Sequence, residues 1–144
     1  MLLDLFSRKI IAYGISSKNS TYLIISTFKR AFKERGNPQK LTLHSDQDAQ
    51  YISKALRKLL RINKVVQSFS KLGSPYDNVV AEAFFASIKK EELYRIIYKS
   101  ERQFCESVDN CTRFYNTERP HSTLNYKIPD KFELLYEEKK VNAI

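Results

Sequence analysis

The sequence predicts an α/β fold in which a mixed β-sheet is flanked by helices. Short apolar runs alternate with amphipathic helical patterns in the order β-β-α-β-α-β, and three further helical patterns follow a polar loop. With 144 residues, of which 42% are hydrophobic, the chain has the apolar content to build a core. We expect one domain over residues 1–116 and a short carboxyl-terminal appendage over residues 117–144.

Local residue patterns place each element along the chain. The predicted strands are short and apolar, and they cover residues 2–6, 10–15, 41–44 and 65–69. The predicted helices carry apolar residues at helical spacing, and they cover residues 21–35, 52–61, 78–94, 101–116 and 129–136. Ser20 is typical of a helix N-cap and Gly36 of a residue just beyond a helix end, so they set the bounds of the first helix. In the second helix we expect Ile52, Leu56 and Leu59 to face inward.

Positive charge is concentrated in the first two thirds of the chain. The formal net charge of +9 divides into +6 for residues 1–40, +4 for residues 41–90 and −1 for residues 91–144. This excess favours a polyanion partner, with nucleic acid as the natural choice. A solvated basic surface without a ligand is the alternative interpretation. On the second helix, the outward positions are basic, and they are Lys54, Arg57, Lys58 and Arg61.

The sequence shows neither a membrane span nor an export signal. No apolar run approaches the roughly 18–20 residues that a span needs, and the amino end lacks a charged-then-apolar pattern. Cys105 and Cys111 lie on one predicted helix and face different directions, so we expect neither a disulfide framework nor a zinc site. We expect a cytoplasmic protein without membrane contact.

Two acidic residues stand where an α/β fold places its chemistry. Asp46 follows a predicted strand, and ligands in α/β folds bind at the carboxyl ends of strands. Glu82 lies in the first turn of the helix after the polar loop, which Asp77 or Asn78 caps, and the 35 residues between the two acids leave room to bring them together. Carboxylates are the ligands that Mg²⁺ prefers, and a metal pair can flank a phosphate during its transfer. Taken singly, the simpler interpretations are a turn residue for Asp46 and a helix-start acid for Glu82.

Helical spacing adds a cation to this picture. Lys89 lies seven residues after Glu82 and therefore about 20° from it around the helix axis. With Phe85, these residues form a face opposite the apolar side, where a metal ligand would lie beside a cation that can hold a phosphate. An ordinary solvated face is the alternative.

Several longer motifs carry a family resemblance. They are His44–Tyr51 (HSDQDAQY), Gly73–Phe85 (GSPYDNVVAEAFF), Lys89–Glu91 (KKE), Phe114–Tyr126 (FYNTERPHSTLNY) and, upstream, Asp4–Ile10 (DLFSRKI). In this order and spacing they resemble the DDE transposases of two-reading-frame insertion sequences, whose catalytic core is related to that of retroviral integrases. The resemblance covers nearly the whole chain.

The resemblance implies a ribonuclease-H-like core that uses Mg²⁺ or Mn²⁺ to cleave transposon ends and join them to target DNA. The middle carboxylate of the family corresponds to Asp46 and the last to Glu82, which become the predicted catalytic and metal-binding residues. The residues assigned to DNA binding are Lys89, Asn78, Arg119 and His121. The implied partners are DNA and either a second copy of the chain or an intact transposase, and the protein would be nucleoid-associated when it is bound to DNA.

The sequence departs from the family pattern in two places. The family's first catalytic aspartate lies on a strand that precedes the strand of Asp4, and this sequence does not include it, so we expect an amino-terminally truncated core without its first strand. Asp48 stands where the family has a small residue. The sequence therefore predicts a partial catalytic core for DNA transposition and integration, with a catalytically inactive DNA-binding remnant as the alternative.

Overall fold

The computed structural model describes residues 1–70 and 79–141. Its strands are β1 (Leu2–Leu3), β2 (Ile10–Ala12), β3 (Thr42–Ser45) and β4 (Val66–Phe69). Its α-helices are α1 (Thr21–Glu34), α2 (Lys54–Ile62), α3 (Val79–Ile88), α4 (Glu101–Thr117) and α5 (Pro129–Val141). A π-helical turn, Lys89–Leu93, follows α3 directly, and a 3₁₀ turn, Ser122–Leu124, precedes α5. The predicted order of strands and helices is confirmed, and no described helix is long and apolar enough to cross a membrane.

The strands pair in two short sheets. β3 and β4 are parallel, in a register that runs from Thr42 opposite Val66 to Ser45 opposite Phe69. Parallel neighbours need a crossover connection, and α2 provides it. β1 and β2 form the other pair. Within the described residues, the mixed sheet expected from the sequence is therefore two two-stranded sheets in an α/β arrangement.

The first helix has the bounds that its capping residues predict. The Ser20 hydroxyl accepts a hydrogen bond from the Leu23 N–H at 3.2 Å, which satisfies a donor at the start of α1. At the other end, Gly36 adopts a left-handed φ of 67°, and the Asn37 N–H reaches the Phe32 carbonyl at 2.9 Å. This is the usual way in which a glycine closes a helix.

The second helix begins later than the apolar pattern predicts. Ser53 caps it by accepting a hydrogen bond from the Leu56 N–H at 3.3 Å, so Ile52 precedes the helix and is exposed. The prediction that Ile52 faces inward is wrong. Leu56 and Leu60, one helical turn apart, are the buried pair, while Leu59 is half-buried.

The chain divides into two compact units, one formed by Met1–Leu2 and Ile11–Ala83, the other by Leu3–Ile10 and Phe84–Ile144. In the core of the first unit, α1 and α2 pack against the β3–β4 pair. Its buried residues are Phe28, Phe32, Leu43, Leu56, Leu60 and Val65. Phe28 and Phe32 stack with ring centroids 5.5 Å apart. This core holds α1, α2 and the end of β3 in fixed relation.

The second unit ties an early segment to the last two helices. The Asn116 side chain accepts a hydrogen bond from the Ile10 N–H and donates one to the Ile10 carbonyl, both at 2.9 Å. Phe6 packs edge-on against Tyr136 of α5 with ring centroids 4.7 Å apart. Lys9 forms ion pairs with Asp130 at 2.8 Å and with Glu133 at 3.4 Å. Burial disfavours the charge of Lys9, but the two carboxylates outweigh it and raise its pKa.

Candidate metal and nucleic-acid site

Asp46 lies immediately after β3, with an exposed side chain. Its Oδ1 accepts a hydrogen bond from the Asp48 N–H at 3.2 Å, and its carbonyl accepts one from the Ser45 hydroxyl at 2.9 Å. The turn is thus held by short-range hydrogen bonds that leave carboxylate oxygens open to solvent. This is the position at the carboxyl end of a strand that the sequence predicts.

A network of polar side chains fixes the strand end beneath Asp46. His44 contacts the Ser68 hydroxyl through Nδ1 at 3.0 Å and the Ser70 hydroxyl through Nε2 at 3.2 Å. The Ser70 N–H donates to the Ser45 carbonyl at 2.9 Å, and Gln47 Nε2 donates to the Ser70 carbonyl at 3.1 Å. The sequence motifs do not predict this network. Its signal is the alternation of Ser68, opposite His44 on β4, and Ser70, just after β4.

Beside Asp46 lies a cavity of about 240 Å³ within the first unit. Asp46, Asp48 and Tyr51 line it together with apolar side chains of α1 and β3. Burial raises the pKa of the Tyr51 hydroxyl, and the negative charges of Asp46 and Asp48 raise it further. Tyr51 is therefore a protonated phenol at neutral pH. Tyr51 ends the HSDQDAQY motif, whose pattern alone predicts no role for it.

Glu82 lies in the first turn of α3 and is exposed. It belongs to the same compact unit as Asp46. Phe85 and Lys89 are also exposed, whereas the neighbouring Phe84 is buried. Lys89 starts the π-helical turn, where the angular spacing of an α-helix no longer applies.

The oxygen donors of Asp46 and Glu82 suit a hard divalent cation, because both carboxylates are solvent-accessible and of the type that Mg²⁺ prefers. Asp48 adds another carboxylate to the cavity beside Asp46. Among the residues the structure describes, no group of three or more His, Cys, Asp or Glu side chains is arranged to hold a metal. The assignment of Asp46 and Glu82 as metal ligands stays a prediction.

Arg119 follows α4 and is bound to an acidic partner. Its Nη1 and Nη2 donate to the two carboxylate oxygens of Glu91 at 2.7 and 3.0 Å, and Nη2 also reaches the Ser87 hydroxyl at 3.4 Å. This two-pronged geometry is the strongest form of an arginine–carboxylate pair. This ion pair links the end of α4 to the π-helical turn. It also engages the guanidinium of Arg119, to which the sequence assigns DNA binding.

His121 packs inside the second unit. Its ring lies edge-on to Tyr115 with centroids 4.5 Å apart, and its buried Nε2 has no hydrogen-bond partner among the described residues. Burial lowers the pKa of His121, and the positive charges of Arg119 and Arg8 lower it further. The imidazole is therefore neutral at neutral pH. The DNA-binding role predicted for His121 stays a prediction, and Asn78 lies outside the described residues.

The α/β fold and the positions of Asp46 and Glu82 together indicate the class of protein to which the chain belongs. An α/β unit carries an acidic residue just after β3 and a second acid on a later helix, in a chain with a net charge of +9. Residues 1–75 and residues 63–129 match two families that are each described as an integrase core domain. The chain belongs to the integrase core domain family, and its fold is the ribonuclease-H-like α/β fold predicted from the sequence.

Individual relatives indicate a more specific group within the integrase core domain family. The chain is 33% identical over 91% of its length to a transposase for insertion sequence element IS904 of Lactococcus lactis, of which it covers 52%. It is 29% identical over 92% of its length to transposase InsF for insertion sequence IS3A of Escherichia coli, of which it covers 46%. The chain thus spans about half the length of these relatives. The predicted resemblance to insertion-sequence transposases is confirmed.

One further relative carries a different name. The chain is 36% identical over 81% of its length to an ATP-dependent protease of Lactococcus lactis, of which it covers 38%. ATP-binding P-loops need two glycines five residues apart, followed by lysine. The glycines of this chain are Gly14, Gly36 and Gly73, which cannot form that motif. The shared region therefore contains no P-loop in this chain.

Proposed function

We propose that this chain is the catalytic-core part of an insertion-sequence transposase, which cleaves transposon ends and joins them to target DNA. The observation that carries the proposal is the exposed carboxylate of Asp46 at the end of β3, in a chain whose integrase core match includes that strand. The relatives named as transposases align over more than nine tenths of the chain and support the same activity.

We infer that Asp46 and Glu82 hold Mg²⁺ or Mn²⁺. When bound, the metal supplies activation of a water or 3′-hydroxyl nucleophile and neutralises charge on the transferred phosphate. The protein contributes the placement of these acids. The hydrogen bonds of Asp48 and Ser45 orient Asp46, and the His44 network holds the strand end that carries it.

The remaining residues act on the DNA substrate. Lys89 is exposed and offers a cation to a backbone phosphate, as the family motif implies. Tyr51, protonated beside Asp46, can donate its phenolic proton to an oxygen that enters the cavity. A second copy of the chain or an intact transposase is the expected partner in the assembled complex.

Metal binding by the intact chain tests the proposal directly. A ligand at about ten times its Kd adds about 1.4 kcal/mol of stability, which raises Tm by a few degrees in a chain of this size. We expect Mn²⁺ to raise the melting temperature of the wild type but not that of Asp46→Asn or Glu82→Gln. Matched controls are Asp109→Asn and Glu138→Gln, which remove exposed acids from α4 and α5 and should leave the shift intact.

Nicking of a DNA duplex separates catalysis from simple binding. Metal-dependent nicking that disappears in Asp46→Asn and in Glu82→Gln would support the proposal. Retention of nicking in either variant would refute the catalytic role assigned to the residue that was changed. DNA binding without nicking under any metal would establish the alternative, a chain that binds DNA but does not cut it.

A further inference from the structure

The exposed face of α2 carries only positive charge. Its four basic residues fall at helical positions i, i+3, i+4 and i+7, and they are Lys54, Arg57, Lys58 and Arg61. We call this set the α2 basic stripe. All four residues are exposed, and the sequence from residue 49 to residue 70 contains no acidic residue. The stripe runs for roughly 10 Å along the helix axis.

The opposite face of α2 holds the stripe in place. Leu56 is fully buried and Leu60 is 2% exposed, and both belong to the core of the first unit. The loop before the helix is anchored as well, since Gln67 Nε2 donates to the Tyr51 carbonyl at 2.7 Å and the Ser53 hydroxyl donates to the Gln50 carbonyl at 2.8 Å. A rigid support means that little backbone conformational entropy is lost when the charges meet a partner.

Among the residues that the structure describes, the charges of the stripe have no polar partner. Within the described ranges, none of the four residues forms an ion pair or a side-chain hydrogen bond. Neighbouring cations at i, i+3 and i+4 repel one another and destabilise an isolated helix by a few tenths of a kcal/mol per pair. An anionic partner would relieve this repulsion.

We propose that the α2 basic stripe is a docking surface for the phosphate backbone of duplex DNA, separate from the carboxylates that the proposed function uses. Charge complementarity selects the occupant. A rod of regularly spaced phosphates matches a straight row of fixed cations, and lysine and arginine contacts to phosphates position DNA without reading its sequence. The stripe therefore binds DNA of any sequence. The inference depends on the proposed function only in taking DNA as the polyanion.

Salt-dependent binding to a duplex without transposon ends tests the proposal, with metal omitted so that the catalytic carboxylates are not involved. The stripe variant changes all four residues to Gln. Its matched control changes four exposed cations of the other unit to Gln, namely Arg95, Lys99, Lys131 and Lys139. Both variants lose the same net charge, so a difference between them reports location rather than total charge.

We expect the stripe variant to bind about 100-fold or more weakly at about 0.1 M salt, with the slope of log K against log salt shallower by about 3. The control should change the slope by less than about 1. A charge-keeping variant, K54R/R57K/K58R/R61K, should retain most of the affinity, because phosphates require the charge and not its exact shape. Circular dichroism is the control measurement that tests whether each variant keeps its helices.

Two outcomes would overturn the inference, and they can be told apart. If the stripe variant and the control lose affinity equally while the wild type binds DNA, the stripe is not the docking surface and the proposed function is untouched. If the wild type itself does not bind duplex DNA at low salt, both the stripe and the DNA substrate of the proposed function are refuted.

Discussion

The carboxylate of Asp46 owes its position to hydrogen bonds rather than to burial. Its neighbours Ser45 and Asp48 hold the turn, and the His44 network holds the strand beneath it. The sequence pattern of an apolar strand followed by Ser-Asp predicted the place of Asp46 correctly. It could not predict that Ser68 of β4 and Ser70 just after it meet His44, because strand pairing across 24 and 26 residues depends on register.

For Arg119 and its partner Glu91, we predict that two substitutions change DNA affinity in opposite directions. If its guanidinium contacts DNA, as the motif predicts, Arg119→Gln should weaken DNA binding by several-fold. Glu91→Gln should strengthen it, because the variant frees Arg119 and removes a negative charge. Fluorescence anisotropy with a labelled duplex measures both.

The control for this pair is Glu106→Gln, which removes an exposed acid that pairs with Arg102 elsewhere on α4. An equal loss of affinity in Arg119→Gln and Glu91→Gln, with no further loss in the double variant, would contradict direct contact. Arg119 would then act through Glu91, by positioning the π-helical turn that begins at Lys89.

His121 makes stability depend on pH in a defined direction. Its folded pKa lies below its ordinary value of 6.5, because burial, Arg119 and Arg8 disfavour the charged ring. Below about pH 6.5 the unfolded chain therefore binds a proton that the folded chain resists. Stability should fall as the pH drops through about 6.5 and should level off below the folded pKa.

Thermal melts at several pH values between about 7 and 5 test this expectation. The wild type should lose more Tm on acidification than His121→Gln, which has no imidazole at this position. Parallel pH profiles for the two proteins would show that His121 does not couple folding to protonation.

At the scale of elements, Gly14 sets how closely the segment after β2 approaches α1. A Cβ at this position would lie 2.6 Å from Leu23 Cδ1 and 2.7 Å from Thr27 Oγ1. The Thr27 hydroxyl cannot easily move, since it donates to the Leu23 carbonyl at 2.8 Å. Gly14→Ala should therefore destabilise the fold by about 1–3 kcal/mol, as overpacking of a closed contact does.

Gly36→Ala is the matched comparison for Gly14→Ala. No atom of the described residues lies within 4 Å of a Cβ there, but its φ of 67° strains any residue with a side chain. The expected loss is smaller, about 1 kcal/mol. Chemical denaturation of both variants measures the difference. A Gly14→Ala protein as stable as the wild type would mean that the segment has room to shift away from α1.

At the scale of the whole molecule, the net positive charge and the two predicted metal-binding acids lie in the same part of the chain. Residues 1–90 carry a net charge of +10, more than the +9 of the whole chain, and they include Asp46, Glu82 and the α2 basic stripe. Residues 91–144 are nearly neutral and contribute mainly packing and pairing contacts, such as Asn116 with Ile10 and Arg119 with Glu91. We therefore expect residues 1–90 to supply most of the electrostatic attraction to DNA, with Arg119 as a further predicted contact.

The sequence by itself determined the order of the elements, the caps of the first helix, the basic character and the family. These properties depend on neighbours a few residues apart or on whole motifs, which a single sequence displays directly. Only the tertiary structure decided that Asn116 binds the backbone of Ile10, 106 residues away, and that Glu91 occupies the guanidinium of Arg119. A side chain that can bind phosphate can equally bind a carboxylate, and which partner it meets depends on how distant segments pack.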